Sequence, residues 1–273
     1  MHLGKLKQME ISLPKWDFQI RRLGCMVAKK LLRRQSNIME KNTEYKKIMI
    51  GKIPAIIYGD LSDKVYLFVH GQGGNKEEAE SFAEIATEKG WQVISIDLPE
   101  HGERKNKLDQ LYPWIVVPEL QKVWEFMQAH WNQISLRANS IGAWFSMLAF
   151  SDKEINKSLF VSPILNMEHL IKNMMQLAGV TEERLEAEKI IQTTFGQTLS
   201  WKYLLYAKQN PVGNWNCETK ILYGSADNIT EYSIVDTFAS YFQCDLKVMN
   251  NGEHWFHTRE QLDFLSEWEK QNS

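Results

Sequence analysis

Ser140 lies in Ala138-Asn139-Ser140-Ile141-Gly142, directly after an apolar run at Ile134–Leu136 and before a helix-like stretch that opens Ala143-Trp144-Phe145. A strand that breaks sharply into a helix at a serine lifts its hydroxyl out of the sheet. The backbone at such a turn is strained, so the positions two before and two after it must be small. Here they are alanine and glycine. A helix-start serine acting as an N-cap is the competing reading of the same residues.

A serine hydroxyl becomes a useful nucleophile only when an imidazole takes its proton, and that imidazole needs a carboxylate to hold its tautomer and stabilise its cation. The sequence offers both, later in the chain. Asp227 follows the apolar run Ile221-Leu222-Tyr223 in Gly224-Ser225-Ala226-Asp227-Asn228, and His254 follows Leu246–Met249 in Gly252-Glu253-His254. Each has rivals. Asp97 ends an earlier strand-like run and Asp236 lies on a helical stretch. His70 belongs to a glycine-rich turn, His101 to a loop where a histidine usually satisfies local hydrogen bonds, and His257 sits three residues after His254. His254 is preferred because it directly follows the strand and Gly252 gives it a flexible approach. Asp227 is preferred for its place at a strand's end.

One more segment bears on acyl chemistry. Val65–Val69 runs into His70-Gly71-Gln72-Gly73-Gly74-Asn75. Glycines on both sides of Gln72 let the backbone fold tightly and turn an amide N–H towards a developing oxyanion. A phosphate-cradling turn is the alternative. The chain has neither G-x-x-x-x-G-K-[ST] nor G-x-G-x-x-G, which argues against a nucleotide site.

The elements that must carry these residues follow from periodicity. Short apolar runs at Ile48–Ile50, Ile53–Tyr58, Val65–Val69, Val93–Ile96, Ile134–Leu136, Ser158–Val161, Ile221–Tyr223 and Leu246–Met249 read as strands. Amphipathic stretches at 76–89, 116–131, 142–151, 231–242 and 260–270 read as helices between them. Two strands close together, then strand–helix alternation, predict an α/β class fold: a mostly parallel central sheet flanked by helices, opened by an antiparallel hairpin. Sites in such sheets gather at the carboxyl ends of the strands. Residues 164–216 break the rhythm. They carry only helical signals, at Met167–Leu177, Glu182–Thr194 and Leu199–Gln209, and read as a folded insertion or lid.

Together these segments resemble the α/β-hydrolase-fold serine hydrolases, esterase- or lipase-like and with a helical cap. The carriers are His70-Gly71-Gln72-Gly73-Gly74, Asp97-Leu98-Pro99-Glu100-His101-Gly102, the Ser140 segment, Gly224–Asp227 and Gly252–His254, over about residues 45–271. The order serine, aspartate, histidine is that of the family. The resemblance implies catalytic Ser140, Asp227 and His254, and oxyanion-hole amides at Gln72 and Ile141. It places the cap at 164–216, with the hydrolase core at 41–163 and 217–273. It implies ester hydrolysis through an acyl-enzyme, with no metal and no organic cofactor. The departures are Ala138 for the usual first glycine and Glu100 where relatives often have glycine.

The expected substrate is a small-molecule carboxylic ester with a short-to-medium acyl group or small alcohol. A peptidase, amidase or thioesterase on the same scaffold is the first alternative, and a non-catalytic or slow-turnover ligand-binding or signalling protein the second. Met167, Leu170, Met174, Met175, Leu177 and Trp201 can line an apolar pocket or simply pack the cap.

Composition is ordinary for a globular enzyme, with 44% apolar and 24% charged residues in 273. Cys25, Cys217 and Cys244 are scattered, which argues against a disulfide framework or a thiolate zinc site and fits a reducing, cytoplasmic setting. No nucleic-acid partner and no stable membrane insertion are expected. Charge is uneven: residues 1–38 hold nine Lys/Arg against Glu10 and Asp17, a net of +7, leaving −9 for the rest of a chain of net −2. Residues 1–40 therefore read as a basic arm outside the core fold. It is a poorly ordered tail, an extension upstream of a start at Met39, or a segment that touches a membrane or acidic partner. Its longest apolar run, Leu23–Ala28, is too short for a secretory signal.

Overall fold

A computed structural model of the protein describes residues 44–105 and 110–273; the basic arm expected at 1–40 lies outside them. The strands are β1 (Tyr45–Ile50), β2 (Ile53–Tyr58), β3 (Lys64–Val69), β4 (Gln92–Ile96), β5 (Gln133–Asn139), β6 (Ser158–Val161), β7 (Ile190–Gln192), β8 (Thr198–Ser200), β9 (Thr219–Gly224) and β10 (Asp245–Met249). The helices are α1 (Glu80–Glu88), α2 (Pro113–Gln128), α3 (Ile141–Phe150), α4 (Met167–Ala178), α5 (Glu182–Glu188), α6 (Trp201–Gln209), α7 (Tyr232–Phe242) and α8 (Arg259–Asn272).

Eight strands form one sheet in the order β1-β2-β4-β3-β5-β6-β9-β10. β2 runs antiparallel to β1 and β4, and every other pairing is parallel. The central strands β3, β4 and β6 are buried along nearly their whole length, as parallel strands covered on both faces must be. Edge strand β1 instead exposes Lys46 and Lys47, which discourages a further strand from pairing with it. Alternation along β3 splits the core in two. Val65, Leu67 and Val69 face a large cluster with α2, α3, α7 and the cap, while Tyr66 and Phe68 face a smaller one with α1, Phe256 and Trp268.

All eight expected sheet strands are present, and the five expected core helices fall within a few residues of their predicted bounds. The cap differs. A single helix over Glu182–Thr194 was expected, but α5 ends at Glu188, Lys189 takes φ 64°, and β7 pairs antiparallel with β8. The β-branched residues Ile190, Ile191, Thr193 and Thr194 favour a pleated ribbon over a helix, and Gly196 at φ 82° supplies its turn. Buried cap residues Ile171, Met175, Leu185, Leu199 and Leu204 continue the large core cluster, so the cap packs on the sheet domain. Among the described residues no helix is long and apolar enough to cross a membrane.

Candidate active site

Ser140 is the single residue between the end of β5 and the start of α3, with φ 49° and ψ −121°. That conformation is uncommon for a residue with a Cβ and is maintained only where surrounding contacts enforce it. Its amide donates to the Val161 carbonyl at 3.0 Å, and its own carbonyl accepts from the Ile164 and Ala143 amides at 3.1 Å each. The side chain makes no cap hydrogen bond, so the N-cap reading falls. Gly142 must be glycine: a Cβ there would lie 2.5 Å from the His70 carbonyl oxygen and 2.7 Å from that of Val69. Ala138, where a glycine is usual, is fully buried in the core.

The Ser140 hydroxyl lies 2.8 Å from His254 Nε2. On the other side of the ring, His254 Nδ1 lies 2.7 Å from Asp227 Oδ2. The Asp227 carboxylate is fully buried, and its Oδ1 accepts the Ile229 and Thr230 amides at 2.8 and 3.0 Å. Both oxygens are thereby fixed, which orients the carboxylate before the imidazole arrives. In this arrangement Asp227 sets the imidazole tautomer with the proton on Nδ1, leaving Nε2 to accept a proton from the serine.

What brings the aspartate and histidine loops together is close backbone packing. A Cβ on Gly224 would overlap the Gly252 carbonyl, and one on Gly252 would lie 2.9 Å from Gly224 Cα. The Ala226 amide donates to Gly252 O at 2.8 Å, and the Asn251 amide to Ser225 Oγ at 2.8 Å. Gly252 was expected to give flexibility. Its use here is the missing side chain, which lets two loops touch.

The rival residues have other partners. Asp97 Oδ2 pairs with buried Lys76 Nζ at 2.7 Å, and its Oδ1 accepts the Lys76 amide at 2.9 Å. Asp97 thus ties the glycine-rich turn to the next loop. Asp236 is exposed on α7. His257 Nδ1 contacts the Trp255 carbonyl at 2.9 Å and the Glu253 carboxylate at 3.2 Å. Ser158, which opens β6 at the opposite end of the sheet, lies 3.1 Å from Cys217 Sγ.

His70 and His101 brace the turn that carries Gln72. The Leu98 amide donates to His70 Nε2 at 3.1 Å, so Nδ1 holds the proton and donates to the Gly71 carbonyl at 2.8 Å. His101 accepts the Gly73 amide on Nε2 at 2.8 Å, and its Nδ1 lies 2.6 Å from Pro99 O. The turn stands over the serine, since a Cβ on Gly71 would be 3.2 Å from Ser140 Cβ. A bracing role for His101 was not legible in the sequence, because its partner lies 28 positions away.

Burial pushes the His70 imidazole down from its ordinary value to about 4. Between that value and the ordinary 6.5 the unfolded chain binds the proton and the folded protein does not, so acidification favours unfolding. Stability is expected to fall by about 3 kcal/mol between pH 6.5 and 4 from this group. Denaturant titrations across that range are expected to show the slope in wild type and a shallower one in His70→Gln.

Glu100, exposed and directly before His101, holds φ 66°. A left-handed conformation costs a residue with a Cβ roughly 1 kcal/mol. Glu100→Gly is therefore expected to raise the midpoint of thermal unfolding by a few degrees. An unchanged or lower midpoint would mean that the glutamate side chain repays the strain.

The six cap residues suggested as a pocket lining do not act as one group. Met167 and Met175 are buried in the core, and Leu177 is half exposed. Met167 does line a cavity of about 170 Å³ with Trp144, Leu165 and Ala207, between α3 and the cap.

No known protein family's sequence profile matches the chain, and no curated protein sequence matches it. Solved structures do. Est1E from Butyrivibrio proteoclasticus, solved with ferulic acid bound, is 18% identical, with 83% of this chain and 96% of that one covered and a TM-score of 0.65. A Pyrococcus furiosus esterase is also 18% identical, over 86% and 91% of the two chains, at 0.61. The thioesterase domain from the curacin biosynthetic pathway is 14% identical, over 84% and 99%, at 0.54. Sheet order, strand-to-helix elbow and inserted cap, together with these likenesses, give the chain the α/β-hydrolase fold.

Proposed function

We propose that the protein is a serine hydrolase that cleaves small carboxylic esters through an acyl-enzyme. The observation that carries this reading is the unbroken hydrogen-bond chain from Ser140 through His254 to buried Asp227, starting at a strained elbow. Ser140 Oγ attacks the acyl carbonyl carbon as His254 Nε2 takes its proton. The oxyanion is held by the amides of Gln72 and Ile141, one on the braced turn above the serine and one at the start of α3. Asp227 stabilises the imidazolium, which then protonates the departing alcohol. A water deprotonated by the same imidazole releases the acid and frees the serine.

A short-to-medium acyl ester is the default substrate. The free thiols of Cys217 and Cys244 are consistent with a reducing, cytoplasmic setting. A fluorophosphonate probe tests the nucleophile directly: the wild type is expected to take one label, on Ser140. Hydrolysis of p-nitrophenyl esters alongside aminoacyl-anilides separates an esterase from a peptidase. Activity confined to the anilides would overturn the ester reading and keep the nucleophile.

A further inference from the structure

A charged pair lies enclosed on the sheet face that α1 and α8 cover, and the reaction above makes no use of it. Arg137, on β5 three residues before Ser140, is 1% exposed, and Glu269 of α8 is 3% exposed. Arg137 Nε donates to Glu269 Oε1 at 2.8 Å. The same guanidinium donates through Nη1 to Asn139 Oδ1, and to the Ala138 carbonyl at 3.2 Å. Its central carbon stands 5.4 Å from the Phe68 ring and 5.9 Å from the Phe82 ring. Burial raises the Glu269 carboxyl above its ordinary value, with Arg137 acting against the shift. An ion pair so enclosed adds little stability, because desolvation of both charges offsets their attraction. Packed apolar side chains of similar size do as well there, so its presence needs another reason.

The two ends of the guanidinium supply one. Asn139 immediately precedes the proposed nucleophile. A Cβ on Gly71 would lie 3.6 Å from Asn139 Cβ and 3.2 Å from Ser140 Cβ, so Asn139 packs against the turn that carries Gln72. Glu269 belongs to the helix that follows the histidine loop. The start of that helix is tied to the loop, since Thr258 and Gln261 form a capping box and the His257 amide donates to Gln261 Oε1 at 3.0 Å. Phe256, two residues after His254, is buried in one cluster with Phe68, Phe82 and Trp268. Arg137 is thus a strut between the serine elbow and the segment that bears the histidine. A guanidinium suits the task, because its rigid planar fork fixes two partners in one plane.

We propose that Arg137 is a positioning residue that sets the spacing of Ser140, His254 and the oxyanion turn, a role that rests on the serine-hydrolase reading above. Arg137 touches neither substrate nor reacting atoms. It acts through Asn139 on one side and through Glu269 and α8 on the other. A displacement of about 1 Å at the reacting atoms is enough to cost about 10²-fold in rate.

Arg137→Met/Glu269→Met replaces the pair with apolar side chains and removes the strut. Its thermal midpoint is expected to stay within a few degrees of wild type. Its kcat for p-nitrophenyl butyrate is expected to fall about 10- to 100-fold, with KM changed by less than about twofold. Fluorophosphonate labelling of Ser140 is expected to slow by a similar factor, since it needs the same serine–histidine geometry. Asn139→Ala cuts the serine side alone and is expected to lower kcat about tenfold. In the double-variant background the same change is expected to cost less than about threefold, because the contact it removes is already gone. Wild-type kcat in the folded double variant, or fully additive losses, leaves Arg137 as core packing and overturns the proposal. Should the double variant fail to fold, Asn139→Ala decides, because the ion pair is intact there and an unchanged kcat overturns the proposal equally. Wild-type protein that cleaves no ester and takes no label removes the hydrolase reading and this role with it. Wild-type activity that the variants leave untouched removes only the role of Arg137.

Discussion

Ser140→Ala is expected to lower kcat for ester hydrolysis by about 10⁶-fold, to the level that substrate positioning and the oxyanion amides alone provide. The size follows from the mechanism: without the hydroxyl no acyl-enzyme forms, and His254 and Asp227 have no proton to move. Structure is expected to survive, because the side chain makes no cap bond and the elbow is held by backbone contacts to Val161, Ile164 and Ala143. Relief of the positive φ strain does not follow, since alanine carries the same Cβ. The measurement is kcat on a p-nitrophenyl ester, with circular dichroism and thermal unfolding on the same sample. Full activity in a folded variant would remove Ser140 from the chemistry and with it the proposed reaction.

Asp227→Asn is the second large effect, with an expected loss of about 10⁴-fold in kcat. Its cause is a tautomer. Asp227 Oδ1 accepts the Ile229 and Thr230 amides, and an asparagine keeps those bonds only by placing its carbonyl oxygen there. The amide nitrogen then faces His254 Nδ1, where the aspartate oxygen had accepted. Two donors cannot share that bond, so Nδ1 becomes the acceptor and the ring proton moves to Nε2, 2.8 Å from Ser140 Oγ. An imidazole protonated there cannot take the serine's proton. Activity is therefore expected to recover partly at high pH, where hydroxide rather than the imidazole can serve as base, while the wild type shows no comparable rise. A variant that keeps kcat within tenfold of wild type would show that the carboxylate is not what poises His254.

Much of this arrangement was legible in the linear sequence because it is local. Strand runs such as Val65–Val69 and Ser158–Val161 announce themselves as short, largely apolar runs, and the Ser140 elbow by the small residues on either side of a serine at a strand's end. The cap hairpin was missed because a seven-residue helix, a short ribbon and a second helix share one amphipathic stretch, and periodicity over so few residues does not separate them. The Asp227 anchor was half visible. Its pairing with His254, 27 positions on, was expected from the order of the three residues, whereas the anchoring of its other oxygen by the Ile229 and Thr230 amides was not part of that expectation. The bracing by His101 and the Gly224–Gly252 contact left no local signal at all, since each joins segments about 28 positions apart.

Residue type and order alone determined the chemistry within reach: one serine at a tight turn, then an aspartate and a histidine, each after a strand of a parallel sheet. Tertiary structure decided whether they meet. Parallel pairing of β5 with β6, β6 with β9 and β9 with β10 puts three loops at one sheet edge, and the two glycines let the last two touch. Proximity between positions 114 apart depends on the register of strands that share no local sequence. Hydrogen bonds that act over about 3 Å are set by that register and by close packing, and neither is written in the neighbourhood of any single residue.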